Sequence, residues 1–239
     1  VKITLFIPCF VDSFYPQTGQ AMVRIFEKLG HKLDYKPQLT CCGQPPFNAG
    51  YWDESRKVAV KVLDALMDAE KVVIASGSCG AMLKVFYLEL FKNTPREADA
   101  KALADKTFEF SDFLVNQLGV TDIGAKFPHA VTFHDGCHGL RELGIKTEPR
   151  ALLAGVEGLE LREMGEAQTC CGFGGLFSAK FPQISVAMGQ VKTKSATETG
   201  TKYLVSNDGS CLMHIQGVLD REKRGIQCLH IAEVLNQGW

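Results

Sequence analysis

Three times in the first half of the chain, a short apolar run gives way to a cysteine and then to a segment of helical period. Residues 2–8 are mostly apolar, as in a strand buried on both faces of a sheet, and Cys9 follows. Residues 19–29 carry apolar side chains at 22, 23, 25, 26 and 29, a helical spacing closed by Gly30. Residues 31–39 read as a second strand, with Cys41-Cys42-Gly43 beyond its end and Gln44-Pro45-Pro46 expected to prevent regular structure there. Helix is expected over 55–69, where Val58, Val62, Leu63 and Leu66 share a face. A strand over 71–75 then leads into Ser76-Gly77-Ser78-Cys79, and helix returns over 82–91. Residues 96–106 predict a surface helix, 108–110 a short fourth strand, and Ser111 the cap of a helix carrying Phe113, Leu114 and Leu118.

The plan then repeats. After a linker over 119–126, strands are expected over 129–134, 159–164, 202–206 and 227–230, with a long helix over 184–197. Asp135-Gly136-Cys137 follows the first of these strands, Cys170-Cys171-Gly172 the second and Asn207-Asp208-Gly209-Ser210-Cys211 the third. A last helix over 231–235 corresponds to the one after Ser111. The expected fold is α/β: two pseudo-symmetric halves, each a small, mainly parallel sheet flanked by helices, with domains at 1–122 and 123–239. In open parallel sheets ligands bind beyond the carboxyl ends of the strands, and each half places its cysteines there.

The cysteine spacing sharpens this picture. Cys9, Cys41, Cys42 and Cys79 precede Cys137, Cys170, Cys171 and Cys211 by 128, 129, 129 and 132 residues. Eight of the nine cysteines thus belong to one duplicated pattern, expected to converge as two separate quartets, and only Cys228 stands outside it as a core residue. The composition, 46% hydrophobic and 22% charged with a net charge of -1, describes a soluble globular chain and argues against nucleic acid as a partner. No apolar run reaches the roughly 18 residues of a transmembrane helix. The apolar start is too short for a secretory signal and runs into Cys9, so the expected location is cytoplasmic. In a reducing compartment clustered cysteines are metal ligands or redox groups more often than disulfides, which are the lesser reading. Both zinc and iron–sulfur clusters accept four thiolates. Adjacent cysteines suit a larger cluster, whose metal atoms are spread out, better than one zinc tetrahedron, and the chain has no Cys-x-x-Cys knuckle.

On the stretches Cys41-Cys42-Gly43-Gln44-Pro45, Gly77-Ser78-Cys79, Cys170-Cys171-Gly172-Phe173-Gly174-Gly175 and His230-Ile231-Ala232-Glu233-Val234-Leu235, the chain resembles the CCG cysteine-rich domain family. That domain occurs twice in one of the subunits of heterodisulfide reductase, and also in the iron–sulfur subunits of glycolate oxidase and anaerobic glycerol-3-phosphate dehydrogenase. Two such domains with nothing else resemble the A subunits of a three-part lactate-utilisation complex. The resemblance implies up to two iron–sulfur clusters, of 4Fe-4S type, held by Cys9, Cys41, Cys42 and Cys79 and by Cys137, Cys170, Cys171 and Cys211. It further implies an electron-transfer subunit of a complex oxidising L-lactate or a similar 2-hydroxy acid, inactive without its partner subunits. Those partners would also mediate any peripheral membrane association. The fuller family motif carries a fifth cysteine where this chain has Ser76 and Asp208. That departure weighs against the five-cysteine noncubane cluster and against the alternative of a thiol–disulfide reductase. It leaves zinc in one site, or a zinc-stabilised scaffold, as the third reading.

Around Cys137, His134, Asp135 and His138 read first as turn residues bonding to backbone and second as a proton relay or alternate ligand. Asp208 reads as a helix cap, and Lys180, Lys192, Lys194 and Lys202 as a solvated face. Pro45-Pro46 against Phe173-Gly174-Gly175 predicts a first site more enclosed than the second.

Overall fold

The structure is a computed structural model describing residues 1–239. Eight strands form two four-stranded parallel sheets. The first holds β1 (Lys2–Phe6), β2 (Lys32–Tyr35), β3 (Lys71–Ile74) and β4 (Thr107–Glu109) in the order β2-β1-β3-β4. The second holds β5 (Ala130–His134), β6 (Glu160–Leu161), β7 (Tyr203–Ser206) and β8 (Gln227–His230) in the order β6-β5-β7-β8. The two orders are the same, and so is the register: Phe6 pairs with Ile74 as His134 pairs with Ser206. The chain is therefore α/β with two pseudo-symmetric halves, as its sequence predicts. No helix is long and apolar enough to cross a membrane.

Strand alternation decides where each face goes. Ile3, Leu5 and Val73 of one sheet join Val131, Phe133 and Val205 of the other in a single apolar core. The opposite faces lie under their own helices. Phe6, Val72 and Ile74 meet Val62 and Leu66 of the helix Trp52–Leu66, and Leu204 meets Ala196 of the helix Pro182–Glu198. Both halves thus bury one sheet face in a common core.

Some local expectations change. Gln44–Asn48 is a short helix with proline in its first turn, where a missing N–H leaves no intrahelical bond unmade, so Pro45-Pro46 starts regular structure instead of preventing it. Ser111 is not the cap of its helix: the Glu109 carboxylate at the end of β4 accepts the Ser111 and Asp112 N–H groups at 2.8 and 3.2 Å. The equivalent end of β8 uses His230, whose Nδ1 accepts the Ala232 N–H at 3.1 Å while Nε2 donates to the Ala75 carbonyl at 3.2 Å.

At the start of the helices Gly77–Ala81 and Cys137–Arg141 the two halves touch backbone to backbone. A Cβ on Gly77 would stand 2.9 Å from Gly139 Cα. Gly77→Ala should therefore cost about 2 kcal/mol in urea unfolding, since backbone and not a flexible side chain must move. A change indistinguishable from zero would show that the contact is slack. The His230 imidazole, fully buried, is held neutral by burial down to a pKa of about 4, below its ordinary 6.5. The unfolded chain takes up that proton near 6.5 and the folded chain resists it, so this contribution is complete above pH 6.5 and is lost as pH falls toward 4. Between pH 7 and pH 5 the wild type should lose on the order of 1–2 kcal/mol more stability than His230→Gln, measured by urea titration at both pH values.

Candidate metal centre

Each cysteine quartet is assembled by the carboxyl ends of three neighbouring strands. Cys9 lies just past β1, Cys41 and Cys42 lie beyond β2, and Cys79 lies in the helix that follows β3. The chain leaves β1 toward β2 on one side and β3 toward β4 on the other, so the gap between β1 and β3 is a topological switch point, where a crevice opens at the sheet edge. The second half repeats the construction with Cys137, Cys170, Cys171 and Cys211.

The residue after each cysteine pair has to be glycine. Gly43 has φ 84° and Gly172 φ 94°, a left-handed conformation that side chains disfavour. A Cβ on Gly172 would come within 2.6 Å of the Ser185 carbonyl oxygen, and one on Gly43 within 3.2 Å of the Ser55 carbonyl oxygen. In return the turn directs the Gly43 N–H to Cys41 Sγ and the Gly172 N–H to Cys170 Sγ, each at 3.4 Å. Ser55 and Ser185 hydroxyls lock the two turns by donating to the glycine carbonyls, both at 2.8 Å.

In each half one pair of sulfurs is in contact and unbonded. Cys42 and Cys79 Sγ stand 3.2 Å apart, Cys171 and Cys211 Sγ 3.1 Å, and all nine cysteines are free thiols. Hydrogen bonding among the neighbouring thiols, Cys42 first and then Cys9, holds Cys41 down to about 3. Cys137 first and then Cys171 hold Cys170 down to about 2. Cys9, Cys42, Cys137 and Cys171 are pushed up in turn. Such a set suits a thiophilic metal or cluster: four thiols from each half line the cavity, and a backbone N–H points at the first sulfur of each pair. Loading would release the remaining protons.

Both quartets line one cavity of about 120 Å³, together with Phe10, Phe173, His138 and Asp208. Phe10 and Phe173 meet edge to face at 5.3 Å between ring centroids, bridging the halves beside it. Exposure is mirrored: Cys9, Cys41, Cys137 and Cys170 are half-buried and the other four are buried. The first site is thus no more enclosed than the second, because a shared cavity serves both.

The two positions without a fifth cysteine face each other. Ser76 and Asp208 form an antiparallel bridge, and Asp208 Oδ2 accepts the Ser78 N–H at 2.9 Å. Contrary to the sequence-based expectation, the Asp208 side chain accepts no N–H of its own helix. Its carboxylate accepts from Ser210 Oγ at 2.8 Å and ties the two cysteine loops together. His138 Nδ1 likewise accepts from Gln44 Nε2 across the halves, at 3.1 Å.

Lys192 does not belong to the solvated face that its neighbours Lys180, Lys194 and Lys202 suggest. It is fully buried, donating to the Glu166 carbonyl and, at 3.2 Å, to that of Ala167, and burial brings it down to about 8. Aligning the halves on Ser55 and Ser185 sets Lys192 opposite the buried Val62, a signal the chain does carry. Beside it His134 is fully buried too. Its Nδ1 lies 3.3 Å from the Ala167 carbonyl, its Nε2 has no partner, and a ring nitrogen falls within 4.8 Å of the Cys171 and Cys211 sulfurs. Burial first, and the Lys192 charge second, press His134 down to about 3, so the imidazole is neutral.

In sequence the chain is similar to known proteins. Residues 3–84 and 131–216 match the cysteine-rich domain, CCG. The chain belongs to the CCG cysteine-rich domain family. Lactate utilization protein A of Bacillus subtilis (strain 168) is 44% identical over 99% of this chain and 99% of its own. Lactate utilization protein A 2 of Bacillus cereus (strain AH820) is also 44% identical, over 100% of this chain and 99% of its own. Among solved structures, a glutamate racemase isoform from Bacillus anthracis is 10% identical with a TM-score of 0.41, covering 98% of this chain and 78% of that one, a likeness too slight to bear on chemistry.

Behind the second CCG motif, buried Asp135 pairs with Arg150, whose Nη1 and Nη2 reach its two carboxylate oxygens at 2.7 and 2.9 Å. Arg150→Met leaves that carboxylate buried without a counter-charge. It should cost about 3 kcal/mol in chemical denaturation. A loss below about 1 kcal/mol would show that water reaches Asp135 in the folded chain.

Proposed function

We propose that this CCG protein acts in lactate utilisation as an iron–sulfur electron-transfer subunit of a complex that oxidises L-lactate, or a similar 2-hydroxy acid, to the 2-oxo acid. The observation that carries the reading is the pair of four-thiol sites facing one cavity, on a chain collinear with relatives named for lactate utilisation. Its two domains, 1–122 and 123–239, each hold one cluster of 4Fe-4S type, the first through Cys9, Cys41, Cys42 and Cys79, the second through Cys137, Cys170, Cys171 and Cys211. Bound there, the clusters would take up and pass on single electrons.

The chain's own residues supply the holding and the shielding. Gly43 and Gly172 set N–H donors on the first sulfur of each pair. Phe10 and Phe173 place an apolar aromatic pair beside the quartets. Asp208 and Gln44 clamp the cysteine loops of one half to those of the other, keeping the two sites at a constant separation. Ser76 and Asp208 are engaged with each other where a fifth thiolate would stand, which favours electron transfer over disulfide cleavage. The protein works in the cytoplasm with the other subunits of the complex, through which it reaches any membrane acceptor.

Anaerobically purified protein should contain iron and acid-labile sulfide for up to two clusters. Cys41→Ser and Cys170→Ser should each remove about half of both, and the isolated chain should oxidise no lactate until its partner subunits are added. Stoichiometric zinc without sulfide in protein never exposed to air would exclude the electron-transfer role and leave a scaffold.

A further inference from the structure

The two quartets match in their cysteines, glycines and serines, yet the side chains behind them differ. At the end of β1 stands Phe6, packed with Val62 in a purely apolar layer. At the equivalent end of β5 stands His134, and Val62 is replaced by Lys192. Two fully buried polar side chains take the place of two apolar ones in the same fold, at considerable desolvation cost.

The hydrogen bonds specify what the histidine offers. Only one ring nitrogen has a carbonyl to donate to: Nδ1, at 3.3 Å from the Ala167 oxygen. A carbonyl is an acceptor only, so Nδ1 carries the proton and Nε2 the lone pair. That lone pair is buried and without a partner. A backbone carbonyl on the far nitrogen is the usual way a ligating imidazole is oriented and held in one tautomer. One of the two ring nitrogens lies within 4.8 Å of the Cys171 and Cys211 sulfurs, and no histidine or carboxylate does so in the first half.

We propose that His134 Nε2 is a ligand of the second metal site, which thereby takes a mixed sulfur–nitrogen donor set with Cys171 and Cys211, whereas the first site is held by thiolates alone. The inference rests on the metal-binding reading of the quartets but not on the identity of the metal. An imidazole is a neutral nitrogen donor, so the two sites differ in donor type.

Cadmium ion, as 113Cd(II), is the probe. The full-length protein is freed of metal and loaded anaerobically, and 1H–113Cd correlation spectra are recorded. Two cadmium resonances are expected, one of them coupled to the protons of a single imidazole ring. The coupling should persist in His138→Gln and His214→Gln, which alter the other histidines beside the second quartet, and vanish in His134→Phe, which installs the residue of the first half. Cadmium bound at both quartets with no imidazole coupling overturns the inference while leaving metal binding intact. Coupling that disappears in His138→Gln or His214→Gln, or survives in His134→Phe, overturns it equally. Absence of cadmium from both quartets overturns the inference together with the metal-binding reading. The wild-type and His138 and His214 spectra decide the matter even where His134→Phe does not fold.

Discussion

The close approach of the helix starts at Gly77 and Gly139 sets the geometry of everything that follows. Two parallel sheets that share an apolar face could slide over one another, since hydrophobic contact is not directional. The backbone contact, which has no room for a Cβ, together with the Asp208 carboxylate on the Ser78 N–H, removes that freedom. Two switch-point crevices that would each open to solvent in a separate domain are turned toward each other and become one cavity lined by eight thiols.

Within that frame the cysteine pair and its glycine form a self-contained device. The left-handed glycine turns the chain so that its N–H meets the sulfur two residues earlier, and a serine from the following long helix holds the turn closed. It appears twice with nearly the same distances, so the quartets are alike in their cysteine geometry and exposure. What distinguishes them lies behind the sulfurs. Phe6 and Val62 present only hydrocarbon to the first quartet, whereas His134 and Lys192 bring a lone pair and a positive charge to the second. In a low-dielectric interior such a difference acts on the affinity and charge of whatever the thiols hold.

Duplicated halves also show which polar positions are constrained by the fold and which by the site. Glu109 and His230 stand at equivalent strand ends and both cap the helix that follows, by different chemistry, so either satisfies the exposed N–H groups there. Asp135 has its buried charge answered by Arg150. His134 alone among these has a ring nitrogen that the protein leaves unanswered.

The sequence by itself determined the repeated strand–cysteine–helix order, the parallel sheets, the duplicated cysteine spacing and the family, because period and spacing are local properties that survive without coordinates. It also contained the Val62 to Lys192 exchange, legible only once the halves are aligned on Ser55 and Ser185. Only the tertiary structure decided that Lys192 is buried, that Asp208 crosses to Ser78 instead of capping its own helix, and that the two sites share a cavity. Those three facts depend on which surfaces of two separately folded sheets meet. That choice is made by the summed burial of a common core and one close backbone contact between residues far apart in the chain, and neither leaves a periodic trace in the order of amino acids.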